Sequence, residues 1–106
     1  MAQNKLGRHT FRPGQPVYIA AWASVAGKKE AEGPLGGCFD KIEQDSHFGQ
    51  KTWEQAEKHM QELALRKLKE KSGLLSCEFD VVFSGDLLNQ CIGSSFTLRN
   101  TAIPHI

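Results

Sequence analysis

Six consecutive residues, Gly85-Asp86-Leu87-Leu88-Asn89-Gln90, close an apolar run and open a polar turn. The run before them, Val81-Val82-Phe83, has no alternation and reads as a strand buried on both faces, as in a parallel sheet. In open α/β sheets ligands sit outside the carboxyl ends of the strands, which makes residues 86–90 the first place to look for a site. Asp86 could act as a general base only with a substrate in hydrogen-bond reach. As a helix cap it needs no more than free amides two or three residues on, and that demand is easier to meet. Cys91 lies near the amino end of a helix, where a thiolate would be stabilised, yet it reads as a packed, inert thiol. His9, His47, His59 and His105 do not form a metal-ligating set with cysteines or carboxylates on their own elements, and each reads as a solvated or locally bonded imidazole. Ser94 and Ser95 lack a Gly-x-Ser-x-Gly frame and read as small helix-packing residues. The residues alone supply no complete reaction.

The elements that must position this turn can be read along the chain. Residues 1–15 are polar, with Pro13 and Gly14 as punctuation, and read as a leader ordered only where it touches the domain. Val17 to Ala26 is rich in β-branched, aromatic and small residues without a charge, and predicts a strand. Residues 27–49 form a glycine-shaped excursion with Phe39 and Phe48 tucked beneath it. Its Gly33-Pro34-Leu35-Gly36-Gly37 lacks the Lys-Ser/Thr and the following helix that a phosphate-binding loop requires. Trp53, Ala56, Met60, Leu63, Ala64 and Leu68 recur at three- and four-residue intervals and predict a helix from Thr52 to Ser72, with Thr52 as its cap and Gly73 as its stop. Glu54 with Lys58 and Glu62 with Arg66 are spaced as exposed pairs. Residues 74–78 read as a loop, a second helix runs from about Asn89 to Asn100, and His105-Ile106 begins another strand. That order implies a right-handed βαβ crossover.

At 106 residues, 40% of them hydrophobic and 24% charged, the chain has the composition of one soluble globular domain at most. Thirteen basic residues against twelve acidic leave a formal charge of +1, so no global field favours nucleic acid. There is neither an apolar signal region nor a run long enough to cross a bilayer, and the chain reads as a protein made and kept inside a cell. Cys38, Cys77 and Cys91 are widely spaced, without a Cys-x-x-Cys pair, and read as reduced thiols.

Gly33-Pro34-Leu35-Gly36 with Phe39-Asp40, Trp53-Glu54-x-Ala56-Glu57, Gly85-Asp86-Leu87-Leu88-Asn89-Gln90, and Arg99 with Ile103-Pro104 together resemble the amino-terminal part of the stage V sporulation protein AD family. The likeness runs from about Pro16 to Ile106. It implies an α/β chain forming the amino-terminal part of a thiolase-like α/β/α/β/α fold, incomplete in this chain, with residues 1–15 as leader and 16–106 as the partial domain. It also implies a non-enzymatic protein that binds dipicolinic acid, as its calcium chelate, for uptake into the forming spore and release at germination. The location it implies is peripheral, at the spore inner membrane, beside membrane proteins of the same operon. Relatives of that fold dimerise through strands just beyond this segment. The resemblance places Asp86, Leu88 and Asn89 at the rim of the ligand pocket and implies no cofactor. The cysteine-bearing Gly-Ala-Cys-Ser-Thr-like turn of thiolase-like proteins would follow the strand that begins at His105, so no nucleophile is carried over to Cys38, Cys77 or Cys91. Two rival readings use the same fold: a thiolase-type acyltransferase, and an inactive truncated product.

Overall fold

A computed structural model of the chain describes residues 4–85, 88, 92–99 and 101–106, with the side chain of Ile92 outside that description. The element order is β1 (Lys5–Leu6), β2 (Thr10–Phe11), β3 (Val25–Ala26), α1 (Lys28–Ala31), a 3-10 turn (Gly36–Cys38), β4 (Lys41–Ile42), α2 (Trp53–Ser72), a second 3-10 turn (Ser76–Glu78) and α3 (Ile92–Leu98). Helices and strands are mixed, which agrees with an α/β class.

The long helix α2 is the framework, and its ends are those its sequence specifies. Thr52 has extended backbone, and its Oγ1 accepts a hydrogen bond from the Gln55 amide at 3.2 Å. At the other end Gly73 adopts a left-handed φ of 71° and its amide donates to the Lys69 carbonyl. Both arrangements satisfy backbone groups that a helix end leaves without intrahelical partners. Of the exposed pairs, Glu62 is engaged by Lys58 at 3.3 Å rather than by Arg66, and by the His59 imidazole at 3.7 Å. The helix packs mainly on α3, where the Thr97 hydroxyl donates to the Lys58 carbonyl at 3.2 Å. Ala56 of α2 and Leu98 of α3 are buried, as are Ala26, Phe48 and Ile103, and Ser94 is 1% exposed, the packing residue its sequence context predicts.

The strands are shorter than their sequences predict. Only Val25–Ala26 of the apolar 17–26 segment is β structure, paired in parallel with Lys41–Ile42. Val17, Tyr18, Ile19 and Trp22 are each more than 70% exposed. A strand needs partners for its amides and carbonyls, and among the described residues only β4 reaches this one. Likewise Val82 bridges His105 in parallel, with Val82 N donating to Pro104 O and Ile106 N donating to Val82 O, both at 2.8 Å. The predicted strand start at His105-Ile106 and its parallel partner are therefore present. Val81 and Phe83, expected to be buried on both faces, are 41% and 73% exposed, and no second layer among the described residues lies over them. The leader folds into a two-stranded antiparallel hairpin turned at Gly7, with φ 68°. Residues 76–78, expected as loop, make a 3-10 turn in which the Leu75 amide donates to Glu78 Oε2 at 2.6 Å.

Candidate functional site

Two strings that distinguish this chain meet in the excursion between β3 and α2. In Gly33-Pro34-Leu35-Gly36, the Gly36 amide donates to Gly33 O at 3.1 Å, and the turn folds so tightly onto the end of α1 that a Cβ on Gly36 would stand 2.1 Å from the Ala31 carbonyl oxygen. Real Cβ atoms do not approach backbone that closely, so only glycine fits. In Phe39-Asp40, Asp40 Oδ2 accepts from the Ser24 amide at 2.7 Å and from its hydroxyl at 3.2 Å, while Oδ1 is paired with Lys71 Nζ at 3.0 Å. The Lys71 hydrogen bond, then that of the Ser24 amide, holds the Asp40 carboxyl below the usual aspartate value. Lys71 Nζ also lies 5.4 Å from the Trp22 ring centroid. One carboxylate thereby ties the start of β3 to the end of α2.

Below this junction, residues 45–49 form a loop organised by Asp45, whose carboxylate accepts from the His47 amide at 3.0 Å and the Gly49 amide at 2.8 Å. These two backbone donors, in that order, depress its pKa. The turn sets Phe48 at a φ of 52° and drives its ring inward to 5% exposure, as expected of a residue tucked under the excursion. The His47 ring stacks on Trp53, with centroids 3.9 Å apart and planes at 22°. Trp53, expected in the core stripe, is instead 53% exposed and forms a wall of a cavity of about 300 Å³.

Leu88 lines that same cavity together with Phe48, Trp53, Ala56 and Met60, with Ser46 and Glu57 as the polar lining. One of the three rim residues is therefore placed beside an apolar, aromatic-walled hollow. Asp86 and Asn89, the other two, lie outside the described residues, as do Gln90 and Cys91. Sequence reasoning missed Phe48 and Trp53 as residues that share a cavity with Leu88. The spacing Asp45-x-His47-x-Gly49, which closes a loop on its own carboxylate, is the signal that could have found them. Gly85 shows neither a close approach nor a left-handed φ: a Cβ there meets nothing within 4 Å. Cys38 and Cys77 are free and exposed. No group of three metal-ligating side chains forms among the described residues, and no helix among them is long and apolar enough to cross a membrane.

Comparison with known proteins agrees with these strings. The family model described as Stage V sporulation protein AD matches residues 7–106. Stage V sporulation protein AD of Bacillus subtilis (strain 168) is 35% identical over 100 residues. That alignment covers 94% of this chain and 30% of the relative, so the chain spans about a third of the length of the curated relative it matches. The match takes in the glycine turn at Gly36, the Asp40 junction and the cavity at Leu88: the chain belongs to the stage V sporulation protein AD family.

Proposed function

We propose that this chain forms the amino-terminal part of a thiolase-like protein that binds dipicolinic acid, as its calcium chelate, and serves its uptake into the developing spore and its release at germination. The observation that carries the reading is the family match over residues 7–106. The position of Leu88 on an aromatic-walled cavity supports it, because a flat ring carrying carboxylates suits apolar walls with polar groups at the rim. In this reading Asp86, Leu88 and Asn89 border the ligand, and the protein binds without catalysis. It works at the spore inner membrane beside membrane-spanning partners and pairs with a second copy.

Calorimetric titration of the full-length gene product with dipicolinate, with and without calcium, tests the proposal. Saturable heat is expected. A folded protein that releases none would remove dipicolinate as the ligand. Incubation with acyl-CoA should leave the protein unacylated and the thioester intact; turnover would favour an acyltransferase instead.

A further inference from the structure

The basic residues are unevenly spread along the chain. Lys5, Arg8 and Arg12 fall early, with His9 among them, and the first acidic residue is Glu30. β1 and β2 display these cations on a hairpin that pairs with no other strand among the described residues. The register sets Lys5 opposite Phe11 and Leu6 opposite Thr10, and the Arg12 amide donates to the Asn4 carbonyl at 2.6 Å, which carries the ladder one pair further. Residues directly opposite share a face and neighbours along a strand alternate, so Lys5 lies with Phe11 on one face and Arg12 with Leu6 on the other. Each face thus joins one cation to one apolar side chain, and Arg8 and His9 stand in the turn. Residues 5–20 are exposed without interruption, Phe11 at 73% and Leu6 at 44%. No ion pair to Lys5, Arg8 or Arg12 forms among the described residues. A two-stranded hairpin is marginal in water and gains from a surface to lie on. Its positive charge opposes a second copy of itself and matches an anionic partner. Leu6 and Phe11 decide which: a phosphate lattice alone takes up only the cations, whereas the headgroup region of a bilayer also takes up the apolar side chains beside them, with lysine and arginine stems reaching back to the charged layer. Val17, Tyr18, Ile19 and Trp22, all exposed, continue the same composition toward β3, and aromatic residues of this kind favour a membrane interface.

We infer that the β1–β2 hairpin lies on an anionic lipid surface, with Lys5, Arg8 and Arg12 meeting the headgroup phosphates and Leu6 and Phe11 entering the interface. This deepens the location proposed above, on which it rests: there the attachment falls to membrane-spanning partners, here to the lipid itself. The full-length gene product is mixed with vesicles of phosphatidylglycerol and phosphatidylcholine in equal parts, or of phosphatidylcholine alone, and floated on a density gradient. It should float with the anionic vesicles, by far the less with the neutral ones, and be released by added salt. Arg8→Gln with Arg12→Gln should weaken binding to the anionic vesicles by about 25-fold, since each cation near such a surface is worth about fivefold. Arg8→Lys with Arg12→Lys keeps the charge and should bind like the parent. Phe11→Ser keeps every charge yet should bind more weakly, which a purely ionic contact would not show. The replaced side chains are exposed, so each variant should retain the parent's melting curve. Should the glutamine pair not fold, Lys5→Gln takes its place with an expected loss of about fivefold. Equal flotation with both kinds of vesicle, unchanged flotation in the folded glutamine variants, or a parent that binds single-stranded DNA but no vesicle would overturn the inference. Dipicolinate heat is measured on the same samples. Flotation without heat keeps the lipid contact and removes the ligand reading, whereas heat without flotation removes the lipid contact alone.

Discussion

At the scale of single residues, the strings that carry the family resemblance serve the architecture as much as any ligand. Gly36 allows the 3-10 turn to close against α1, where a Cβ would stand 2.1 Å from Ala31 O. Gly36→Ala must push that backbone apart and should destabilise the chain by about 1–3 kcal/mol, measured by urea denaturation. Asp40 couples folding to pH. Its folded pKa is lowered, so its contribution is complete above the unfolded value near 3.8 and is lost as pH falls through the folded value below it. Melting temperature followed from pH 6 down to about pH 2 should therefore drop, with part of the drop absent in Asp40→Asn, which has no carboxyl to protonate. A variant whose acid sensitivity equals that of the parent would dismiss Asp40 as a source of it. Gly36 and Asp40 could be picked out by type in the sequence, but not their partners, since Ala31 and Ser24 meet them through folding of the excursion.

At the scale of elements, α2 is the part whose limits were most legible. The apolar interval of three and four, the Thr52 cap and the Gly73 stop are all local, so a 20-residue helix needs no distant contact to define its ends. Thr52→Ala should cost about 1 kcal/mol, the usual value of a cap side chain. Gly73→Ala forces a side chain into φ 71° and should cost about the same. Chemical denaturation of each variant measures both, and an unchanged midpoint in either would show that the corresponding end is held by tertiary packing. The strands behave differently. Val17 to Ala26 has strong strand composition, yet β structure forms only where β4 supplies a partner. Trp53 lies on the periodic stripe, yet stacks on His47 instead of entering the core, because α3 covers only part of the helix.

At the scale of the whole molecule, the radius of gyration is 16.5 Å, against about 13 Å for a compact domain of this length. Val17, Tyr18, Ile19, Trp22 and Phe83 remain more than 70% exposed. Apolar exposure on this scale favours association. The isolated 106-residue chain is expected to bind a hydrophobic dye and to sediment as concentration-dependent assemblies. Paired replacement Ile19→Lys with Phe83→Lys should reduce both signals without altering helix content by circular dichroism. A monomeric, dye-silent parent chain would contradict this view of the exposed face.

Family membership and the position of the long helix were determined by the sequence itself, because each rests on local spacing or on a specific string. Tertiary structure alone decided which apolar residues are buried, that Asp40 joins Ser24 to Lys71, and that Leu88 shares a cavity with Trp53 and Phe48. Those outcomes depend on which surfaces arrive opposite one another. Strand pairing, burial and cavity walls are properties of two segments together, and neither segment encodes the other's position.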